Sequence, residues 1–298
     1  MNIRNLLGKS WLKYALSTAL ILVAFHYIIA YFRNVDLTKL FRPSWMRLTS
    51  ASLLVLGAYA VQGIIWITAT KEKGKNAVDS LAVFYTSNIY KYIPGKVWQF
   101  AYITSEGSKK RKGVRYAKSL LFLNILSVLL SFSLLLVYFF LHKSNYLYLL
   151  GFIFATLLVA ISLHFVDFDS ILKKLPFSFL KKENEPARSA YSLVYIELAA
   201  YMALFSLAMT LVSFKNIGGP AFLASSLLFI GWALGLLAFF LPQGIGVREA
   251  SIVWLLNGLV SKEEMMQLIL YFRFFPLVFE LLLFAVSYLY LMRAQRTL

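Results

Sequence analysis

The sequence predicts an all-α polytopic membrane protein with six full spans and two re-entrant helical hairpins, arranged as an inverted repeat. Three observations lead there. Sixty per cent of the 298 residues are hydrophobic. Uncharged runs at 14–32, 48–70, 119–141 and 144–166 recur at lengths that suit a bilayer, which takes about 20 apolar residues per helix. Two Pro-Gly breaks, Ile93-Pro94-Gly95-Lys96 and Leu241-Pro242-Gln243-Gly244-Ile245-Gly246-Val247-Arg248-Glu249, interrupt the apolar background at matching points.

Taken in order, the first span covers about 11–32. It is no cleavable signal, because its apolar stretch exceeds the roughly 7–15 residues of such a segment and no small-x-small site follows. Spans at 48–70 and 117–141 flank an apolar region, 77–105, centred on Pro94. Spans at 145–166, 190–213 and 265–292 follow, with a second such region, 217–260, centred on Pro242. Pro removes a backbone donor and Gly loosens the chain, so each break stops a helix at or near membrane depth. The two regions are therefore expected as hairpins that enter and leave on one side. The competing reading takes 217–241 as a full span within the uncharged run 216–247, but its partner near 249–261 is too short to cross.

Span, span, hairpin, span thus occurs twice, in one integral membrane domain over 1–298 with a first repeat at 1–142 and a second at 143–298. The two prolines lie 148 residues apart (242 − 94), close to half the chain. Three spans per repeat is an odd number, so the second copy is inverted in the membrane. Inverted repeats with interrupted helices at corresponding positions place a binding site at their interface, near the midplane.

Orientation follows from the cations. With the N-terminus inside, the inner segments hold 21 of the 30 Lys and Arg residues, counting Lys91, Lys96 and the dense block at 109–118. The positive-inside bias selects cytoplasmic N- and C-termini and an inner, plasma-membrane location. The net charge of +17 could suggest nucleic acid, but the basic block lies between spans, where its ordinary role is contact with anionic headgroups. The absence of cysteine excludes disulfides, thiolate metal sites and a cysteine nucleophile. His26, His142 and His164 are too scattered for a metal site, and no cofactor is expected.

The breaks carry the candidate site. Pro94 and Pro242 suit the first turn of new half-helices, whose free N–H groups favour an anion. Lys96 and Gln99 share a face of the first, and Arg248 follows Gly244 and Gly246 in the second. Backbone donors with a cation form an anion site, and phosphate is the natural anion in a bilayer. The bland alternatives are that Arg248 pairs with Glu249 and that Lys96 snorkels to the interface. Arg273 and Glu280 lie two turns apart in the last span, with Pro276 between them; charge at that depth marks a site or a structural pair. Glu197 could carry a proton or meet a cation, whereas Gln62, Asn88, Asn124 and Asn257 read as interhelical glue.

The segments LPQGIGVREA and NIYKYIPGKVWQ resemble motifs of the flippase-like family, the transmembrane region of lysylphosphatidylglycerol synthases. The likeness extends over the whole chain, and the first of these segments is the more specific. Many members carry Gly-Glu and a later Arg after the first Pro; here Lys96 follows Gly95 and Gln99 stands at the later position, which leaves substrate preference open. The resemblance implies a flippase that moves an anionic or polyprenyl-phosphate-linked lipid between leaflets in cell-envelope biogenesis, as a stand-alone member lacking the aminoacyl-transfer domain. Its implied partners are a membrane lipid or lipid-linked saccharide, and a second copy of the chain or a partner synthase. The alternatives are a membrane glycosyltransferase and a scaffold for a lipid-linked glycan or aminoacyl-lipid synthase. A transferase usually needs a carboxylate near water; Asp167 and Asp169 have Asp-x-Asp spacing but end a span beside a basic loop. A scaffold has no need of two broken helices.

Overall fold

The computed structural model describes residues 44–93, 97–109, 111–141, 189–238 and 241–296. The expected spans at 11–32 and 145–166, the three histidines, Asp167, Asp169 and the residues Pro94, Gly95 and Lys96 lie outside the described residues. Every described element is helical: α1 (Trp45–Thr70), α2 (Lys75–Ser87), a 3-10 turn (Asn88–Tyr92), α3 (Val97–Ser108), α4 (Gly113–Leu141), α5 (Ser189–Ser213), α6 (Gly219–Leu237), a second 3-10 turn (Pro242–Gly244), α7 (Val247–Leu256) and α8 (Lys262–Arg296).

Among the described residues, five helices are long and apolar enough to cross a membrane: α1, α4, α5, α6 and α8. α6 is one of the five, so the span-length criterion alone favours the competing reading of the second apolar region. α7, with ten residues, rises only about 15 Å and is too short to cross. The apolar runs explain where the long helices fall, and capping explains where they end. Ser44 accepts from the Arg47 N–H to start α1; Lys71, in the left-handed region, closes it by donating to the Ile67 carbonyl at 2.7 Å. Arg47 caps the far end of α5, its guanidinium donating to the carbonyls of Phe214 (2.7 Å) and Lys215 (3.1 Å).

α1 packs along α5 in antiparallel fashion, Arg47 meeting Phe214 at one end and Thr68 meeting Glu197 at the other. α6 and α7 also run antiparallel, with Gly231 opposite Ile252 and Gly235 opposite Arg248. At the turn between them Gly244 has φ +65°, and a Cβ there would stand 2.4 Å from the Gly235 Cα. Glycine is required at 244 for both reasons. α3 folds back toward the end of α2: Gln99 bonds Asn88 at 3.0 Å and Tyr102 stacks on Tyr90 at 4.6 Å.

The packing crosses between the two halves of the chain. α2, from the first half, lies against α8, the last helix of the second; α6, from the second half, lies against α4, the last described helix of the first. The two 3-10 turns touch each other at the centre. The small residues of the 218–226 segment pack closely as expected, Ala224 and Ser225 being buried and Thr210 bonding the Ser225 hydroxyl at 2.9 Å. The outer faces of α1, α7 and α8 expose Leu53, Trp254, Val286 and Leu289 to the surroundings, as lipid-facing helices do.

Part of the basic block serves the fold. Lys112 donates to the buried Glu72 at 2.6 Å, Arg115 approaches the same carboxylate at 3.5 Å, and Lys109 pairs with Glu106 at 2.7 Å. The two contacts to Glu72 tie the loop after α1 to the start of α4.

Candidate anion site at the helix breaks

A cavity of about 490 Å³ opens where the two 3-10 turns meet the middle of α1 and of α8. Its polar lining comprises Gln62, Asn88, Lys91, Gln99, Gln243, Arg248 and Glu280, with Tyr59 and Tyr201 and, on α4, Asn124 and Ser127. Apolar side chains of α4, α5 and α6, among them Leu123, Met202 and Trp232, form the rest. A polar cluster around Arg248 beside a mostly apolar wall suits an amphiphile, with its headgroup on the cluster and its tail along the wall.

Arg248 is the centre of this polar cluster. It is 4 % exposed and projects from the first turn of α7. Its Nη2 donates to the Phe272 carbonyl at 2.6 Å, and its guanidinium lies 4.1 Å from the centre of the Phe272 ring. Pro276 explains that bond. In a regular helix the N–H of residue 276 would donate to the carbonyl of 272; proline has none, so Phe272 offers a free acceptor. Phe205, Phe229 and Phe272 meet edge to face at 5.5–6.0 Å and hold the ring under Arg248.

The expected alternative, an Arg248–Glu249 pair, is not what forms. Glu249 accepts from Arg273 Nε at 2.6 Å and, through its other oxygen, from the Gly246 N–H at 2.8 Å. Among the described residues no carboxylate bonds Arg248, and its buried Nε has no partner. A buried cation without a counter-ion is costly, and it is the condition for binding an anion.

Two expectations need correcting. Pro242 was expected to open the half-helix; instead it opens a 3-10 turn, and α7 begins at Val247 with Gly246 as its N-cap. The free N–H groups at the start of that helix were expected to face a ligand; one of them, the N-cap N–H of Gly246, is taken by the Glu249 carboxylate. At the preceding turn Gly244 is held against Gly235.

Arg273 and Glu280 both project from α8 but engage different parts of the molecule. Arg273 grips Glu249 on α7. Glu280, 3 % exposed, accepts from Tyr59 (2.9 Å), Tyr92 (3.1 Å) and the Lys91 ammonium. Lys91, counted among the cytoplasmic cations by sequence, is half-buried on the cavity wall and pairs with Glu280. It was missed because a cation three positions before a break reads as interfacial. A signal was present: a carboxylate as deep in a span as Glu280 demands a cationic or hydroxyl partner.

Gln99 lies in the cavity as expected, donating to Asn88 Oδ1 at 3.0 Å. Gln62 and Asn88, read as interhelical glue, line the cavity too, and Gln62 Oε1 and Asn88 Nδ2 are buried without partners. Glu197 lies away from the cavity and accepts from Thr68 at 3.1 Å.

No protein-family model matches this chain, and no curated protein or solved structure matches it either.

Proposed function

We propose that this chain is an integral membrane transporter that moves an anionic or polyprenyl-phosphate-linked lipid between leaflets, with Arg248 holding the headgroup phosphate. The single observation that carries this reading is a buried guanidinium, fixed by Phe272 and free of any carboxylate among the described residues, in a cavity whose wall is mostly apolar. The resemblance of its two break motifs to the flippase-like family supports the same reading.

The reading carries the finer architecture with it. The two antiparallel pairs, α2 with α3 and α6 with α7, act as re-entrant hairpins within an inverted repeat of six spans, although α6 has the length of a span. The exchanged packing of α2 on α8 and of α6 on α4 is what a two-fold axis in the membrane plane would give. A site on that axis can face either leaflet as the halves rock, which is the common logic of alternating access. Both termini are placed in the cytoplasm by the positive-inside bias. On this reading the chain is no enzyme.

The test is movement of a fluorescent anionic lipid across proteoliposomes, with a zwitterionic lipid as control. A charge-assisted contact contributes about 1.5–3 kcal/mol, so Arg248→Ala should slow anionic-lipid transport roughly 10- to 150-fold while membrane insertion persists. Wild-type rates in that variant would remove Arg248 from the site and the anion reading with it.

A further inference from the structure

The charges around the cavity do not cancel, and the remainder specifies the headgroup. Lys91 is neutralised by Glu280, and Arg273 by Glu249. Arg248 remains, so the cluster formed by these five described side chains carries one net positive charge. In a low-dielectric interior a bound group is favoured when it cancels that remainder and disfavoured when it overshoots. Glu280 sharpens the limit, because its carboxylate lines the same cavity and would face any second negative charge.

The two free amide atoms add a second requirement. Asn88 is 4 % exposed, and its orientation is set by Gln99 donating to its oxygen, which leaves Nδ2 as a donor without an acceptor. Gln62 presents an oxygen without a donor. A hydroxyl both donates and accepts, so hydroxyls on one headgroup satisfy both atoms.

We propose that the cavity selects a lipid whose headgroup is a singly charged phosphodiester bearing hydroxyls, and turns away phosphomonoester, pyrophosphate and zwitterionic headgroups. The proposal rests on the anion-site reading above and narrows its substrate class. The phosphodiester places its charge at Arg248, and its hydroxylated substituent meets Gln62 and Asn88. A zwitterionic head would leave Arg248 uncompensated, and a dianionic head would carry one charge too many. A diacylglycerol phosphodiester and an isoprenoid phosphodiester of a sugar share this chemistry.

The experiment measures apparent Kd on the purified full-length chain at pH 8, where a phosphomonoester with a second pKa of about 6 is dianionic. Four lipids with the same acyl chains are compared: glycerol-headed phosphodiester, methyl-capped phosphodiester, phosphomonoester and choline-headed. The wild-type protein should bind the glycerol phosphodiester on the order of tenfold more tightly than the phosphomonoester or choline lipid, with the methyl ester between. Glu280→Gln raises the remainder to two positive charges and should shift preference toward the phosphomonoester. Asn88→Leu or Gln62→Leu should erase the advantage of glycerol over methyl and leave the charge preference standing. A polyprenyl phosphohexose in the same assay decides the source: tighter binding of it, or of the diacyl lipid, supports the proposal and names the tail. A phosphomonoester that binds the wild type as tightly as the glycerol phosphodiester overturns the charge-matching proposal, while the anion site stands if both outbind the choline lipid. Equal binding of all four lipids, unchanged in Arg248→Ala, overturns the anion site as well.

Discussion

Arg248 donates to the Phe272 carbonyl, the acceptor that Pro276 leaves without its helical donor. A proline in the last span is therefore tied to the placement of a cation on the opposing short helix. The break in α8 and the charge on α7 work as one device, although 28 residues separate Pro276 from Arg248.

Replacing Pro276 by Ala restores an N–H that competes for the Phe272 oxygen. Proline inside a helix costs about 3 kcal/mol relative to Ala, so this variant should melt at a higher temperature than the wild type. Transport of the anionic lipid should nevertheless fall several-fold, because Arg248 loses its fixed position. Thermal melting in detergent and the proteoliposome assay, run side by side, check the opposite signs. Unchanged transport in the more stable variant would show that the carbonyl contact does not position Arg248.

Arg248→Lys keeps the charge and loses the guanidinium that both stacks on Phe272 and reaches its carbonyl. Lysine is a point charge on a flexible stem. Transport should recover only in part relative to Arg248→Ala, to an intermediate rate. Full recovery would show that charge alone suffices and that the Phe272 geometry is incidental.

The Arg273–Glu249 pair holds α7 to α8, and Glu249 also caps α7 through the Gly246 N–H. Glu249→Gln strands Arg273 and weakens the cap, for a loss of about 2–3 kcal/mol. The double variant Glu249→Gln with Arg273→Gln should be less destabilised than the sum of the two single changes, since no charge is left unpaired. A strictly additive double-mutant cycle, read from denaturation midpoints, would show that the two residues do not interact.

Gly244→Ala places a methyl group 2.4 Å from the Gly235 Cα and asks a non-glycine residue to hold φ +65°. The combined strain and overlap should cost about 2–4 kcal/mol and pry α6 from α7. Gly57, in α1 with open space around it, is the control. There an Ala substitution should leave stability unchanged or raise it by up to about 1 kcal/mol. Comparable losses at both positions would contradict the close approach at 244.

Reporter fusions after Lys112 and after Lys182 should read as cytoplasmic, and a fusion at Lys39 as external. A cytoplasmic signal at Lys39 would invert the orientation. Lys91 pairs with Glu280; the bias is intact with or without it, since it is one cation of 21.

The long helices were legible because a span announces itself in composition: the expected 48–70, 117–141, 190–213 and 265–292 match α1, α4, α5 and α8 to within a few residues. Arg248, Gln99 and Glu280, which line one cavity, were legible because charge and amide inside apolar sequence are rare; Glu249 and Arg273, which pair with each other, were legible for the same reason. Their partners were not. Glu249 is adjacent to Arg248 in sequence, yet side chains one position apart on a helix point away from each other, and Arg273 meets Glu249 from a different helix. Gln62 and Asn88 have the same local signature as any packing amide. Only their place on the cavity wall, with atoms left unbonded, distinguishes them.

The reciprocal placement of α2 on α8 and of α6 on α4 has a consequence for how the chain must assemble. Among the described residues, α2 and α6 each find a packing partner in the half of the chain to which they do not belong. The halves are clasped like hooked fingers rather than stacked like bricks. Early in synthesis α2 waits for a helix that begins at Lys262, nearly two hundred residues further along, so one face of α2 is covered only when the last helix arrives.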